Sequence, residues 1–331
     1  MKIDGFVLAM LGAVALALVM PWLGAESGPL HLGLVTTIGI AVVFFLHGAA
    51  LSPAAMRAGA ASWRLHLVVH GSTYLLFPAI GAGLFLGLEG VLASEIRLGI
   101  FYLCALSSTI SSSVAMTAIG RGNVPAAIFD ATLSGIMGMV LTPLLVSLVA
   151  KTAIGHLPLL PAIWEVMKTL LIPFAAGQLL RPWIGGFVMR HKSWTSKADR
   201  SVILLIVYAA FCESTAAGLW SRYAPSTLAI IAALVLALLG SVITVTTLVS
   251  RLLGFTRADE VTAVFCGSKK SLANGAPIAR VVFGQNPTLG MIVLPLMIYH
   301  QAQLLVCSVL ARRYAEKADA ETSRPEAVSV A

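Results

Sequence analysis

The residues with the most chemical potential lie in Phe265-Cys-Gly-Ser-Lys-Lys-Ser-Leu-Ala-Asn-Gly-Ala-Pro277, with Lys269 and Lys270 at its centre. This stretch sits inside Val261 to Phe283, a run otherwise apolar and long enough to cross a bilayer. A lysine at mid-span costs about 2.5–3.5 kcal/mol even on the lenient insertion scale, and here there are two. Gly267, Gly275 and Pro277 bracket the charges and predict an interrupted helix. Broken backbone at membrane depth survives only when it is buried in protein or lines a watery cavity. The stretch is therefore either a structural charge pair or a binding site at the bilayer midplane. Ser268, Lys269, Lys270, Ser271 and Asn274 are its candidate binding residues.

A second polar interruption has the same character. Ser107, Ser108, Thr109, Ser111, Ser112 and Ser113 place a hydroxyl at every position but Ile110, and Thr117 follows one turn later. Beyond this run comes Gly122-Asn-Val-Pro125, and beyond the lysines comes Gly284-Gln-Asn-Pro287, offset by 162 residues at both Gly and Pro. The same offset lays Ser107–Ser113 on Lys269–Gly275. Hydroxyls in membrane helices often bond only their own backbone or a neighbour. Paired interruptions at equivalent places in two halves, however, point to the central site of a transporter.

The elements that must position these residues follow from composition. The chain is 58% hydrophobic and 11% charged, against about 45–50% and about 25% in soluble domains. That predicts an all-α membrane protein. Hydropathy and breakers give ten spans of about 20 residues: 5–23, 31–52, 66–88, 96–119, 125–150, 162–180, 200–220, 226–250, 260–283 and 287–311. Residues 1–150 and 151–313 form two five-helix repeats, the second inverted, with a polar connector from Arg181 to Arg200 and a disordered cytoplasmic tail over 314–331. Basic residues cluster on one side, from Lys2, Arg57 and Arg64 through Arg121, Arg181–Arg200, Arg251 and Arg257 to Arg312–Arg324. The other side has Arg97, Lys151, Arg222 and Arg280. Both termini are thereby placed in the cytoplasm, at a bacterial inner membrane. The net charge of +8 is spread among loops and does not indicate nucleic acid. Cys104, Cys212, Cys266 and Cys307 lie in apolar spans without CxxC spacing, as small core residues.

Among the remaining polar residues, Asp130 and Glu213 could neutralise a lysine or take up a proton or cation. Asp130 is also placed near a helix N-terminus, where an acid is favoured in any case. His300 and Gln301 in the last span could bind solute or relay protons, whereas His47 and His70 read as structural and Lys168 as snorkelling. No Walker A, GxSxG or HExxH motif occurs, so neither ATP-driven pumping nor the familiar intramembrane proteolysis is indicated.

Three segments carry a family resemblance: Phe44-Phe-Leu-His-Gly-Ala-Ala-Leu-Ser-Pro53, the serine run leading to Arg121-Gly-Asn-Val124, and Phe265-Cys-Gly-Ser-Lys-Lys-Ser-Leu-Ala273. With them the chain resembles the bile acid:sodium symporter family, in its SBF-like branch, over nearly its whole length. The resemblance implies ten helices in two inverted repeats and two broken, crossing helices, here spans four and nine. It also implies a panel (helices 1, 2, 6, 7) and a core (helices 3–5, 8–10). The implied activity is secondary transport of a small solute, coupled to sodium in bile acid carriers. Sodium-binding members place a Ser-Asn pair in the first crossing helix, and here it reads Ser113-Val114, leaving Ser113 as the candidate sodium ligand. Their Glu and Gln in the second crossing helix fall on Phe265 and Lys269. An ammonium thus stands where a cation would bind, and sodium and proton are both candidate coupling ions. The lysines and positive half-helix ends favour an anionic solute. The rivals are a proton- or cation-exchanging carrier with titrating Lys269 and Lys270, and a non-transporting membrane regulator. An enzyme using Lys269 as nucleophile is the remote alternative.

Overall fold

The computed structural model of the protein describes residues 5–25, 28–153, 159–218, 225–284 and 286–322. Lys2, Arg222, Gln285 and the tail beyond Thr322, including Arg324, lie outside them. The described residues contain helices and no strand. In order they are α1 (Gly5–Val19), α2 (Pro21–Gly24), α3 (Leu32–Ala50), α4 (Pro53–Gly59), α5 (Trp63–Gly71), α6 (Phe77–Gly87), α7 (Ser94–Ala105) and α8 (Ser111–Ile119). There follow α9 (Val124–Ala153), α10 (Leu159–Val166), α11 (Ile172–Arg190), α12 (Lys192–Ala216), α13 (Pro225–Leu252), α14 (Arg257–Gly267), α15 (Leu272–Phe283) and α16 (Leu289–Thr322). Two π-helical turns, Ser72–Leu76 and Met167–Leu171, join α5 to α6 and α10 to α11.

Among the described residues, five helical stretches are long and apolar enough to cross a membrane: Leu32–Ala50, Trp63–Gly87, Val124–Val149, Ser226–Leu252 and Leu289–Ala320. The exterior is greasy where a soluble protein would be polar. Leu67, Leu75, Leu86, Leu179 and Trp183 are all more than 60% exposed, whereas Asp130, Lys269, Lys270 and Gln303 are fully buried. Lipid on the outside accounts for this inversion, because apolar side chains then lose nothing by facing outward.

α3 lies along α11, and α12 packs on α1, α2 and α3 and also on α15 and α16. α7 packs on α6, α9 and α16, while α14 packs on α5, α8 and α13. The α3–α11 contact is set by two glycines. A Cβ on Gly48 would collide with the Phe174 carbonyl, and one on Gly177 with the Phe45 carbonyl. Small residues there let the two backbones touch, which is how helices gain packing energy in lipid.

Four expectations need correction. The first span is divided, because Met20 leaves helical geometry before Pro21 and α2 starts afresh. The connector from Arg181 to Arg200 is helical apart from a turn at His191, with Pro182 tolerated inside α11. The tail over 314–331 begins as helix: α16 runs on through Ala-Arg-Arg-Tyr-Ala-Glu-Lys to Thr322, a sequence of strong helix formers. Tyr314 anchors this extension, donating to Glu260 at 2.9 Å and accepting from Arg257 at 2.6 Å through its carbonyl. Finally, the two interruptions are shorter than Ser107–Ser113 and Lys269–Gly275, since α8 resumes at Ser111 and α15 at Leu272.

The glycine contact yields a prediction. Gly177→Val should force α3 from α11 and cost at least about 1–3 kcal/mol. Gly186→Ala, on the same helix with open space around it, should be neutral or stabilise by up to about 1 kcal/mol. Thermal unfolding in detergent measures both.

Candidate functional site

The two breaks lie against each other. Between α7 and α8 the chain is unwound over residues 106–110, and between α14 and α15 over 268–271. The Ser271 N–H donates to the Ser107 carbonyl at 2.9 Å, and Asn274 Nδ2 donates to Ser107 Oγ at 3.0 Å. Sequence explains both resumptions. Ser271 caps α15, accepting from the Asn274 N–H at 3.1 Å. The α8 N-terminus begins after Ile110, which has no side-chain cap to offer.

An unwound, buried backbone leaves carbonyls without helical donors, and each must find another. The serine run supplies several. Ser108 Oγ donates to the Cys266 carbonyl at 2.6 Å, and Ser113 Oγ lies 3.2 Å from the Phe265 carbonyl. Thr109 Oγ1 lies 2.7 Å from Ser112 Oγ and 2.8 Å from Ser113 Oγ, closing a hydroxyl cluster. Ser268 Oγ turns back to the Val264 carbonyl of its own helix. Ser111 is exposed at the α8 N-terminus, and Thr117 is buried without a hydrogen-bond partner for its hydroxyl.

Lys270 occupies the centre. Its ammonium donates to the carbonyls of Leu106, Cys104 and Thr73 at 2.6, 2.8 and 3.0 Å, and lies 4.0 Å from the Phe77 ring centroid. The three acceptors are available for identifiable reasons. Cys104 and Leu106 sit where α7 ends, at the negative pole of its dipole. Thr73 lies in the first π-helical turn, where the Phe77 N–H is used on Ser72 and Pro78 has no N–H to give. Three carbonyls on one nitrogen need three N–H donors, which the ammonium has and the neutral amine lacks. Bonds of this charge-assisted kind contribute about 1.5–3 kcal/mol each, so three offset a desolvation cost of several kcal/mol.

Lys269 is also buried but more lightly held. It donates to the Ser112 carbonyl at 2.7 Å and lies 5.6 Å from the Phe265 ring centroid. It thus ties the second break to the first turn of α8.

Among the described residues neither lysine meets a carboxylate: of the partners expected, an acid such as Asp130 or Glu213 or a cluster of carbonyls and hydroxyls, the lysines meet carbonyls. Asp130 is engaged elsewhere, by His66 Nδ1 at 2.8 Å, with His70 Nε2 3.3 Å away without a hydrogen bond. Glu213 is half-buried near the end of α12, beside a contact in which Ser214 donates to the Pro287 carbonyl at 2.8 Å. Carbonyls replaced the acids because the breaks themselves produce them in quantity.

His300 and Gln301 are near the site but are not its principal contact from α16. That contact is Gln303, whose Oε1 accepts from the Lys270 N–H at 2.8 Å and whose Nε2 donates to the Lys270 carbonyl at 2.9 Å. One amide side chain thus pairs with the unwound residue as a neighbouring strand would. His300 Nδ1 accepts from the same Nε2 at 3.0 Å, and Gln301 Nε2 is buried without a partner. Tyr299, one turn before Gln303, donates to the Ser268 carbonyl at 2.6 Å. Tyr102 donates to the Gly275 carbonyl, and Ser72 to the Gly267 carbonyl at 2.9 Å. The i, i+4 spacing of Tyr299 and Gln303 was the available signal for this bracing face.

The Arg121-Gly-Asn-Val124 motif acts at the far end of α8. Arg121 is left-handed (φ 61°), the Gly122 N–H returns to the Thr117 carbonyl at 2.8 Å, and Arg121 N–H to the Ala118 carbonyl at 3.3 Å. This closes α8 with a Schellman turn. Asn123 then accepts from the Ala126 N–H and donates to Asp259, fastening the start of α9 to α14. Separately, a cavity of about 600 Å³ lies among α3, the α10–α11 junction and α15, with His31, Thr37, Glu165, Thr169 and Arg280 on its wall.

Exposed apolar helices around two interrupted elements in contact define an integral membrane protein. The chain belongs to the SBF-like CPA transporter family, which it matches over residues 4–316. It is similar to the Pseudomonas aeruginosa protein PA2026, with 45% identity over 318 residues, 96% of this chain and 94% of that one. It shares 45% identity over 313 residues with Escherichia coli YfeH, described as a candidate symporter, covering 94% and 93% of the two chains. Mouse sodium/bile acid cotransporter 7 is 31% identical over 312 residues, 93% of this chain and 91% of its own. Membership in a carrier family, together with the fold, sets the protein apart from enzymes.

The lysine cradle can be tested directly. Lys270→Met strands three buried carbonyls and should destabilise by at least about 1–3 kcal/mol. Lys269→Met strands one carbonyl and should cost less. Chemical or thermal unfolding of the purified variants ranks them.

Proposed function

We propose that the protein is a secondary active transporter of a small organic anion, working by alternating access, with Lys270 as a tethered cation between its crossed breaks. The observation that carries this reading is the Lys270 ammonium held by carbonyls of both α7 and the α5–α6 turn. A bound monovalent cation would be coordinated in the same manner, by backbone oxygens freed from helices. The fixed ammonium makes a bound sodium ion unnecessary at that place.

In this reading the ten spans form two inverted repeats, with α7–α8 and α14–α15 as the crossing pair. The mutual packing of α1, α3, α11 and α12 supports their role as a panel, against which a core of the other helices rocks. Basic loop residues favour cytoplasmic termini at a bacterial inner membrane. The anion preference is supported by the uncapped α8 N-terminus, where Ser111 is exposed and Lys269 sits against Ser112. Lys269, with one carbonyl partner, is the lysine freer to exchange a proton during the cycle.

The test is uptake into proteoliposomes of organic anions first selected by thermal shift, with sodium or choline outside. Wild type should transport equally in both, and Lys270→Gln should lose transport while gaining no sodium dependence, since no carboxylate adjoins the site. Strict sodium dependence in wild type would overturn the tethered-cation reading. No flux of any selected anion would favour the regulator.

A further inference from the structure

A second polar cluster lies buried where α5 and α9 meet, apart from the crossed breaks. His66 bonds on both sides to acceptors: Nδ1 to Asp130 Oδ1 at 2.8 Å and Nε2 to the Gly59 carbonyl at 3.0 Å. An imidazole between a carboxylate and a carbonyl needs hydrogen on both bonds. Either the ring is an imidazolium, or the carboxyl is protonated and donates to it; in both cases the pair holds one extra proton. Among the described residues no group of three or more His, Cys, Asp and Glu side chains is arranged to hold a metal ion. Spare capacity adjoins the pair. His70 Nε2 lies 3.3 Å from the same Oδ1 without making a hydrogen bond, both its ring nitrogens lack partners, and so does Asp130 Oδ2. Asp130 is fully buried, and the side chains of His66 and His70 are 10% and 14% exposed.

The other groups on this cluster leave it to the histidines. Phe129 covers His66, and the Cys266 thiol of α14 lies within electrostatic reach of Asp130. On α14, Asp259 is engaged by Asn123, and Glu260 by Arg251 of α13 and Tyr314 of α16. Arg64 of α5 donates to the Leu253 carbonyl, and Arg57 of α4 is exposed. α8 contributes the uncharged Thr117.

We propose that His66, Asp130 and His70 form a proton-binding site whose occupancy sets the position of the α5 π-turn and thereby the Lys270 cradle. The connection is covalent and short. His70 is followed directly by the turn in which Ser72 holds the Gly267 carbonyl and Thr73 holds Lys270. A parallel contact runs from His70 to the stacked Tyr74 ring, and from the Tyr74 hydroxyl to Ser134, whose Oγ accepts from the Ser108 N–H at 2.9 Å. Loss of the proton removes one of the two His66 bonds and leaves a buried carboxylate without its countercharge. α5 is then released either from α4 at Gly59 or from α9 at Asp130. Proton exchange at this site needs no solute. Its use in transport rests on the carrier reading above.

The experiment is hydrogen–deuterium exchange of the full-length protein in nanodiscs, across about pH 5 to 9. Protection factors are taken for peptides covering 106–113 and 268–275, each normalised to the intrinsic exchange rate at that pH. Wild type should lose protection several-fold as the site deprotonates. Asp130→Asn and His66→Gln should abolish that dependence, while His191→Gln, at the exposed α11–α12 corner, should retain it. If Asp130→Asn does not fold, His66→Gln carries the comparison alone. Protection independent of pH in wild type, or a pH dependence surviving in His66→Gln, would overturn the proposal. Neither result depends on solute flux, so the outcome is separate from the test of anion transport.

Discussion

The whole interior is arranged around one difficulty, a lysine ammonium far from water. Lys270 is stable there because two elements end or deform beside it and present carbonyls to its ammonium. The α7 terminus, the π-helical turn after α5 and the unwound residues after Ser268 would each be costly alone. Together they satisfy one another. The ammonium takes the oxygens, Gln303 takes the backbone of Lys270, and Tyr299 and Tyr102 take the remaining carbonyls of the second crossing element.

This arrangement also changes the meaning of the serine run. Hydroxyls in the middle of a helix suggest ligands for a solute or an ion. Ser108 and Ser113 instead turn to carbonyls of α14, and Thr109 to the hydroxyl cluster beside them, so most of the run is mortar between two broken helices. What is left open to a visitor is the exposed turn at Ser111.

The breaks were legible because they violate hydropathy, and violations repeated at one offset are hard to produce by chance. The two lysines, the serine run and the Gly-x-x-Pro pair each marked a place where a continuous apolar helix was impossible. The partners of the lysines were not legible, because they are backbone oxygens and carry no sequence letter. Asp130 and Glu213, or a cluster of acceptors, were expected beside the charges, and the sequence could not choose between them. Gln303 was hidden beside the more conspicuous His300 and Gln301, on a helix face that only packing could single out. His70 read as structural, yet its unpartnered ring became visible once Asp130 was placed one helix away.

One asymmetry between the crossed elements has a consequence for how such a carrier would turn. The sequence offset makes the two halves look like copies, but α15 consumes its own positive pole through Ser271, whereas α8 leaves its pole bare after Ile110. Of the two interrupted elements, only α8 therefore presents an open positive pole. A charged headgroup seated there would keep its orientation toward one half while the walls moved around it. The passenger would be handed from one side of the bilayer to the other without being flipped.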